Sequence, residues 1–442
     1  MRPIERRIFL KQGAVALVAM GVPPRFLARS LFAHTRGAER RKTVVFLFQR
    51  GAVDGLSMVV PFGDRSYYER RRSIAITAPK RGSETTAIDL DGFFGLHPAL
   101  RPLADLYGRN ELAIVHASGS PHPTRSHFDA QDYMETATPG VKSTRDGWLN
   151  RLLAENPCAG CDGRTLDDSD AHAADHASGQ LGMTESPLRG IAMGAETPRA
   201  LWGPYPTLAI ADLERFGVAG GRDPSLETAF ERLYQTDDGD LVAGAARDSF
   251  EAIELIKRAD PMQYRPRAGV DYPRGDFGRS LLQIAQLIKA DVGLEVAFAD
   301  IGGWDTHLAQ GGAQGQLANR FRELATGIRA FYDDLGDRQE DVVVVTMSEF
   351  GRTVAENGSG GTDHGHGNCM LLVGGSVAGG RVLGEWPGLD REQLHEGRDL
   401  GTTTDFRDVF AEVVAGHLGA GRLERVFPAY SVDAGRYRGV LG

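Results

Sequence analysis

The stretch that decides the fold begins with VVVVTMSEFGRT at residues 342–353, passes through GGTDHGHGN at 360–368 and enters CMLLVGG at 369–375. Its opening valines are typical of a strand buried on both faces of a parallel sheet, and its last part predicts another buried strand. The loop between them carries one carboxylate and two imidazoles, Asp363, His364 and His366. Because α/β proteins keep their chemistry on loops at strand ends, this stretch predicts both a fold class and a site.

Length and charge limit the classes of function. The 442 residues suffice for one large α/β domain, and the formal net charge is −9. The first 33 residues are basic, so the remainder is more acidic still. An acidic protein without a basic block argues against nucleic acid as a partner. No apolar run after the leader is long enough for a permanent membrane anchor.

The leader carries a specific export pattern. Arg6 and Arg7 are followed by Phe-Leu-Lys and then by an apolar segment at residues 13–22. This predicts a twin-arginine signal peptide at residues 1–33, with the twin-arginine export machinery as a partner and a periplasmic or secreted location. The alternative is a basic amphipathic N-terminal helix of a cytosolic protein.

Two buried strands are predicted early in the chain, at residues 42–49 and 111–116. The first leads into a glycine-flanked loop with Asp54, which is either a metal ligand or nucleophile, or a turn former. The second leads into a loop where Ser126 and Asp129 fit a helix capping box. A hydroxyl at a helix N-terminus is well placed to attack, because backbone N–H groups there stabilise an anion. The alternative is that Ser126 only caps the helix.

A probable surface insertion occupies residues 155–182, which lack apolar periodicity. It contains Cys158 and Cys161 as a CxxC pair, and His172 and His176 as an HxxxH pair. This spacing resembles a zinc site. The alternative is a variable loop with a disulfide or free thiols, since the apolar residues of a compact zinc module are missing.

Acid and imidazole groups recur where predicted strands end. A further strand at residues 294–301 leads into Asp305 and His307, and Glu349 ends the valine strand. In a parallel sheet such ends lie along one edge. Carboxylate and imidazole without thiolate suit Zn, Mn or Fe, and an oxygen-dominated subset suits Ca or Mg. The full set is Asp54, His116, Asp305, His307, Glu349, Asp363, His364 and His366.

Five motifs together resemble the exported bacterial family called domain of unknown function 1501. They are RGAVDGL at 50–56, SHF at 126–128, GWDTH at 303–307, SEFGRT at 348–353 and TDHG at 362–365. That family is similar to the alkaline phosphatase and sulfatase superfamily. The resemblance implies a single alkaline-phosphatase-like α/β domain over residues 34–442, with a mostly parallel central sheet flanked by helices on both faces. It also implies a divalent metal (Zn, Mn or Ca) and a hydroxyl nucleophile.

The resemblance also implies roles for individual residues. Asp54 matches the first-strand metal ligand of the superfamily, and Ser126, or less well Thr124, falls where its nucleophile falls. Asp305 with His307 corresponds to an Asp-and-His metal pair, Glu349 to the acid of an Asp-His strand end, and His364 or His366 to a late His ligand. Three departures stand out: Phe350 replaces an imidazole, Asp305 and His307 are spaced tightly, and the convertible residue of a formylglycine sulfatase is absent before Pro123 and Arg125.

These patterns lead to two hypotheses about function. The first is an exported metal-dependent hydrolase of a phosphate or sulfate ester or related anionic substrate, in which the metal activates Ser126 or a bound water. Arg50 or Arg125 would hold the anion by paired N–H donors, and His364 or His366 would bind the metal or protonate the leaving group. The second is a non-catalytic periplasmic or cell-surface protein for binding or assembly, which Phe350 favours.

Overall fold

The computed structural model describes residues 40–155, 186–213, 252–257 and 263–442. The predicted signal peptide at 1–33 lies outside the described residues, and so do the CxxC and HxxxH pairs of the insertion. Residues Arg41–Gly442 form one compact unit. None of the helices in the described ranges combines the length and the apolar character needed to span a bilayer.

Twelve strands of the described chain form two sheets, a central one and a small one made of β2, β3 and β4. The order across the central sheet is β11-β5-β10-β9-β1-β8-β6-β7, with β12 also paired to β5. The strands are β1 Thr43–Arg50, β2 Val59–Val60, β3 Ile88–Asp89, β4 Gly95–Leu96, β5 Leu112–Gly119, β6 Gly190–Met193, β7 Leu208–Ile210, β8 Val296–Gly302, β9 Val342–Met347, β10 Asn368–Gly374, β11 Arg381–Leu383 and β12 Thr404–Asp405.

Helices follow about half of the strands in the described chain. The labelled α-helices are α1 Gly55–Met58, α2 Arg65–Arg70, α3 Arg101–Gly108, α4 His127–Thr136, α5 Trp148–Glu155, α6 Asp276–Lys289, α7 Gln316–Leu335, α8 Phe406–Leu418 and α9 Leu423–Val426. Residues 252–257 are helical as well.

The central sheet is mostly parallel. Strand β1 pairs in parallel with β8 and β9, and β6 with β7 and β8, whereas β10 runs antiparallel to β5 and β9. The two short strands β11 and β12 both pair in parallel with β5. The predicted fold class, an α/β protein with a mostly parallel central sheet, is confirmed.

Helices cover both faces of this sheet because β1 is apolar on both sides. Val45 and Leu47 face a core shared with α3, α6 and α7, whereas Val44 and Phe46 face a core shared with α4, α5 and α8. Successive side chains of a strand point to opposite faces, so a continuous apolar run serves two cores at once. This explains why the strand at residues 342–347 contains four valines.

The register of the parallel strands brings their carboxyl ends to one edge. Arg50 pairs with Gly302 across β1 and β8, and Phe48 pairs with Met347 across β1 and β9. The loops after β1, β8 and β9 therefore open side by side. Strand β10 runs the other way, so the glycine-rich loop before it lies at this edge as well, together with the loop that leads from β5 into α4.

Candidate metal centre

Three imidazoles and one carboxylate meet at this sheet edge. The Nε2 atom of His364 lies 3.0 Å from Nε2 of His127 and 3.0 Å from Nε2 of His307. The Oδ1 atom of Asp305 lies 3.2 Å from His364 Nε2, 3.0 Å from His307 Nε2 and 3.7 Å from His127 Nε2. The four side chains come from two loops and the start of α4: Asp305 and His307 share the loop after β8, His364 lies on the glycine-rich loop, and His127 begins α4. We call them the His/Asp cluster.

The hydrogen bonds behind each ring fix how the imidazoles are protonated. His127 Nδ1 lies 2.7 Å from Glu349 Oε1, His364 Nδ1 lies 2.9 Å from the Arg125 carbonyl, and His307 Nδ1 lies 3.0 Å from Asp363 Oδ1. Each partner is an acceptor, so we assign the N–H of each neutral ring to Nδ1. All three Nε2 lone pairs then point into the cluster. Two facing Nε2 atoms 3.0 Å apart require either a proton or a metal cation between them.

This donor set fits a divalent metal ion. Within the described residues, His127, Asp305 and His364 offer one ligand atom each, and these atoms lie within 4.8 Å of one another. His307 adds a fourth donor beside them. Zinc ligands at about 2.0–2.1 Å in a tetrahedron stand about 3.3 Å apart, close to the separations found here. Imidazole nitrogen with a single carboxylate suits Zn, Mn or Fe better than Ca.

Glu349 lies behind His127 instead of within the cluster. Its carboxylate is buried, and Oε1 accepts hydrogen bonds from the Gly51 N–H at 2.8 Å, from Gln131 Nε2 at 2.9 Å and from His127. Burial by itself raises the pKa of Glu349, but the bonds from His127 and Gln131 outweigh it and hold the pKa below its ordinary value. Conversely, the bond from Glu349 raises the pKa of His127. A carboxylate behind a ligating imidazole orients the ring and makes it more basic.

Arg352 binds the Asp305 carboxylate from the protein interior. Its side chain is fully buried, and Nη2 donates to Asp305 Oδ1 at 2.7 Å and to the Trp304 carbonyl at 3.1 Å. Burial by itself raises the pKa of Asp305. The adjacent Arg352 lowers this pKa by more than burial raises it, so the net pKa lies below the ordinary value. Asp305 is thus held as an anion at neutral pH.

Phe350 forms an apolar wall of the cluster. It is buried, and its ring centroid lies 5.0 Å from that of His127 and 5.1 Å from that of His364. The superfamily resemblance implies an imidazole ligand here. Phe350 instead packs against two of the ligand rings and restricts how far they can turn.

Two glycines allow the loops to approach closely. Gly51 has φ +114°, and a Cβ there would lie 2.9 Å from the Asp305 backbone nitrogen. A Cβ on Gly361 would lie 2.4 Å from the carbonyl of His307. Any larger residue at either position would push the β1 loop or the glycine-rich loop away from the Asp305–His307 segment.

The structure leaves some predicted ligands outside the cluster. Asp54 is fully buried and accepts both Nη1 and Nη2 of Arg71, at 2.6 and 3.0 Å, together with the side chains of Ser57 and Gln310. Its position is that of a structural ion pair. His116 is buried and bonds the Val59 carbonyl through Nε2.

The glycine-rich loop divides its three predicted ligands. His364 is at the centre of the cluster, and Asp363 stands behind His307 as the acceptor for Nδ1. His366 points elsewhere and stacks on His395 with ring centroids 4.3 Å apart. Burial lowers the pKa of His366 to about 4, so this ring is neutral.

Both predicted anion-binding arginines are engaged with carboxylates of the protein. Arg50 pairs with Glu135 and Asp300, each at 2.8 Å. Arg125 pairs with Glu396 at 2.7 Å and Asp399 at 2.6 Å, while its carbonyl accepts from His364.

Ser126 stands beside the cluster, at the start of α4. It is the N-cap residue of the helix, as predicted, but its side chain makes no capping hydrogen bond. The residue is exposed and directly precedes His127. Its hydroxyl is therefore accessible at a helix N-terminus next to the cluster.

Sequence reasoning did not select His127 or Arg352, although both lie in the quoted motifs. The SHF motif predicts a role for the Ser126 hydroxyl, whereas the imidazole of the next residue, His127, is the group that joins the cluster. An imidazole at the first position of a helix that begins at the predicted edge was a usable signal. Arg352 gave no such signal, because a buried arginine beneath a carboxylate depends on contacts between distant segments.

Comparisons with known structures show distant likenesses. Ps i-CgsB in complex with k-i-k-neocarrahexaose is 10% identical with TM-score 0.34, covering 88% of this chain and 74% of its own. Ps i-CgsB alone is also 10% identical, with TM-score 0.36, and the match covers 89% of this chain and 75% of that chain. A protein in the alkaline phosphatase superfamily from Vibrio parahaemolyticus is 10% identical, with TM-score 0.27, and the match covers 76% of this chain and 60% of that chain. A comparison with curated protein sequences gave no match.

A family model matches most of the chain. The match runs over residues 114–426, which contain His127, Asp305, His307 and His364 together with Glu349. The family therefore covers every member of the His/Asp cluster, although Asp54 lies outside the matched range. The chain belongs to the family described as "Protein of unknown function (DUF1501)".

Proposed function

We propose that the protein is an exported metal-dependent hydrolase of a phosphate or sulfate ester, or of a related anionic substrate. The observation that carries the proposal is that His364 Nε2 lies 3.0 Å from the Nε2 atoms of both His127 and His307, while Asp305 Oδ1 lies 3.0–3.7 Å from all three imidazoles. A divalent cation binds donors of these types at such spacings. The twin-arginine signal predicted at residues 1–33 supports a periplasmic or secreted location for this activity.

His127, Asp305, His307 and His364 would hold the ion, which we propose to be Zn or Mn. A divalent ion supplies Lewis-acid polarisation of the ester oxygen. The four side chains are between about a quarter and a half exposed, so an ester can reach them from solvent. Glu349, Asp363 and the Arg125 carbonyl keep the three rings turned toward the same point.

Ser126 is our proposed nucleophile. Its exposed hydroxyl makes no capping bond, and it precedes a cluster imidazole at the N-terminus of α4. Unpaired backbone N–H groups and the helix dipole favour negative charge there, both on the alkoxide and on the anionic group under attack. Neither Arg50 nor Arg125 is needed for this role, since both are neutralised by carboxylates.

A single ion fits the described residues better than the paired ions of many phosphatases. Asp54, which the superfamily resemblance assigns to a metal, has its charge balanced by Arg71. Phe350 takes the place of another implied ligand. We therefore propose one metal per chain.

Hydrolysis of aryl phosphate and aryl sulfate esters by the metal-loaded protein tests the proposal. We expect turnover in the wild type, a loss of at least about 100-fold in Ser126→Ala, and little change in the control Thr326→Ala, whose hydroxyl bonds only to carbonyls of its own helix α7. Both variants should keep their metal.

Each contrary outcome has a distinct meaning. Turnover that survives Ser126→Ala removes Ser126 as nucleophile. Bound metal without turnover of any ester favours the alternative, a non-catalytic binding or assembly protein. A protein that takes up neither Zn nor Mn contradicts the metal site itself.

A further inference from the structure

Four large apolar side chains of the described residues are strongly exposed, and each adjoins, in sequence or in space, either the His/Asp cluster or a depression beside α4. They are Phe128 at 90%, Leu308 at 64%, Trp202 at 51% and Val141 at 41% exposed. Phe128 and Leu308 each directly follow a cluster imidazole. Trp202 lines an open depression of about 710 Å³, and Val141 precedes Lys142 in its wall. Isolated exposed apolar residues are common, but gathering next to a candidate site marks a binding surface.

Trp202 is a rigid platform on this surface. Its indole N–H donates to the Thr197 carbonyl at 2.8 Å, and the Arg199 guanidinium lies over the ring at 4.9 Å. Arg199 is itself fixed by Asp132 and by the carbonyls of Thr144 and Arg145. A half-exposed aromatic ring held in this way loses little conformational entropy when a ligand stacks on it.

The outer face of α4 connects the depression to the His/Asp cluster. Phe128 and Asp132 are four residues apart, so they are neighbours on one side of the helix. Asp132 lines the depression, and Phe128 adjoins His127. Five residues of helix separate His127 from Asp132, a rise of about 7.5 Å. A ligand longer than one sugar or amino-acid unit is needed to touch both ends.

Only a few basic side chains line the depression. Lys142, Arg145 and Arg199 contribute three positive charges against the single carboxylate of Asp132. Lys142 is paired with Asp129 at 2.8 Å, and Arg199 with Asp132 at 3.0 Å. The exposed guanidinium of Arg145 has no hydrogen-bond or ion-pair partner among the described residues, so it is free to bind an anionic group of a ligand.

We propose that an anionic oligosaccharide lies along this surface, with one sugar ring stacked on Trp202, an anionic group on Arg145 and the reacting ester at the His/Asp cluster. The apolar faces of sugar rings stack on aromatic side chains, and widely spaced charges match the single free guanidinium. Nucleic acid is disfavoured, because it requires a continuous basic stripe, and this chain is acidic overall. The position of the reacting ester rests on the proposed function; the binding surface does not.

Calorimetric titration of the metal-loaded protein tests the inference. The probes are a heparin-derived hexasaccharide, hexagalacturonate and neutral cellohexaose. We expect one of the charged hexasaccharides to bind at least tenfold tighter than cellohexaose. Arg145→Gln and Trp202→Ala should each weaken that binding about tenfold or more. The matched control Arg322→Gln removes an exposed charge from α7, on the other face of the sheet, and should leave binding unchanged. Turnover of a small aryl ester should be the same in Arg322→Gln as in the wild type.

Three results would overturn the inference. They are no binding of either charged hexasaccharide, equal weakening in the control variant, and tighter binding of a single-stranded hexanucleotide than of any saccharide. Saccharide binding that depends on Arg145 and Trp202 supports the inference even where no ester is hydrolysed. That last pattern contradicts the hydrolase proposal alone, so the two failures are distinguishable.

Discussion

At the scale of single residues, Glu349 determines how the cluster is held. One buried oxygen accepts from Gly51, Gln131 and His127, and so fixes the His127 ring. Glu349→Gln keeps the shape but removes the charge, and we expect metal affinity to fall about 10–100-fold with the fold retained. Competition with a chromophoric chelator measures this. The control is Glu356→Gln on the same loop, which should bind metal like the wild type; an unchanged affinity in Glu349→Gln would contradict the orienting role.

The residues also differ in how predictable they were. His364 and Asp305 were predictable because parallel strands bring their loops to one edge, whatever the contacts in between. The roles of Glu349 and Asp54 were not, since each depends on which distant side chain faces the carboxylate. Arg71 contacts Asp54 because it directly follows α2, and His127 contacts Glu349 because it begins α4. Nothing in the local sequence specifies either pair.

At the scale of elements, the buried Asp54–Arg71 pair ties α2 to the loop after β1. Arg71 also donates to the carbonyls of Thr353 and Val354, which lie between β9 and the glycine-rich loop. Asp54→Asn leaves the guanidinium without its counter-charge, and we expect a loss of about 3–5 kcal/mol in the free energy of unfolding. Urea denaturation measures it. Glu69→Gln breaks an exposed pair with Arg65 and should cost less than about 1 kcal/mol.

The same pair predicts a pH dependence. Burial raises the pKa of Asp54, but Arg71 outweighs it and the net pKa lies below the ordinary value of 3.8. A carboxyl whose pKa is lowered in the folded chain stabilises that chain fully at any pH above the ordinary pKa. This stabilisation is lost as the pH falls from the ordinary pKa through the lowered, folded-state pKa. The stability gap between wild type and Asp54→Asn should therefore be constant from pH 7 down to 3.8, then narrow. A gap that already narrows near pH 6 would contradict the assignment.

At the scale of the whole molecule, the His/Asp cluster joins loops from β5, β8 and β9. A metal that binds only the folded chain stabilises it, by about 4 kcal/mol when its concentration is 1,000 times the dissociation constant. We expect chelation to lower the Tm and added Zn or Mn to restore it. His364→Ala should abolish this response, whereas His366→Asn, two residues on, should keep it. A Tm insensitive to chelation in the metal-loaded wild type would count against the site.

X-ray absorption at the edge of the bound metal tests the central claim most directly. The sample is protein purified without added metal, beside His364→Ala. The account predicts about one ion per chain, with imidazole nitrogens in its shell at about 2.0–2.1 Å if the ion is zinc, and loss of that shell in His364→Ala. An ion with no imidazole ligands, or the same imidazole shell in His364→Ala, would contradict the account.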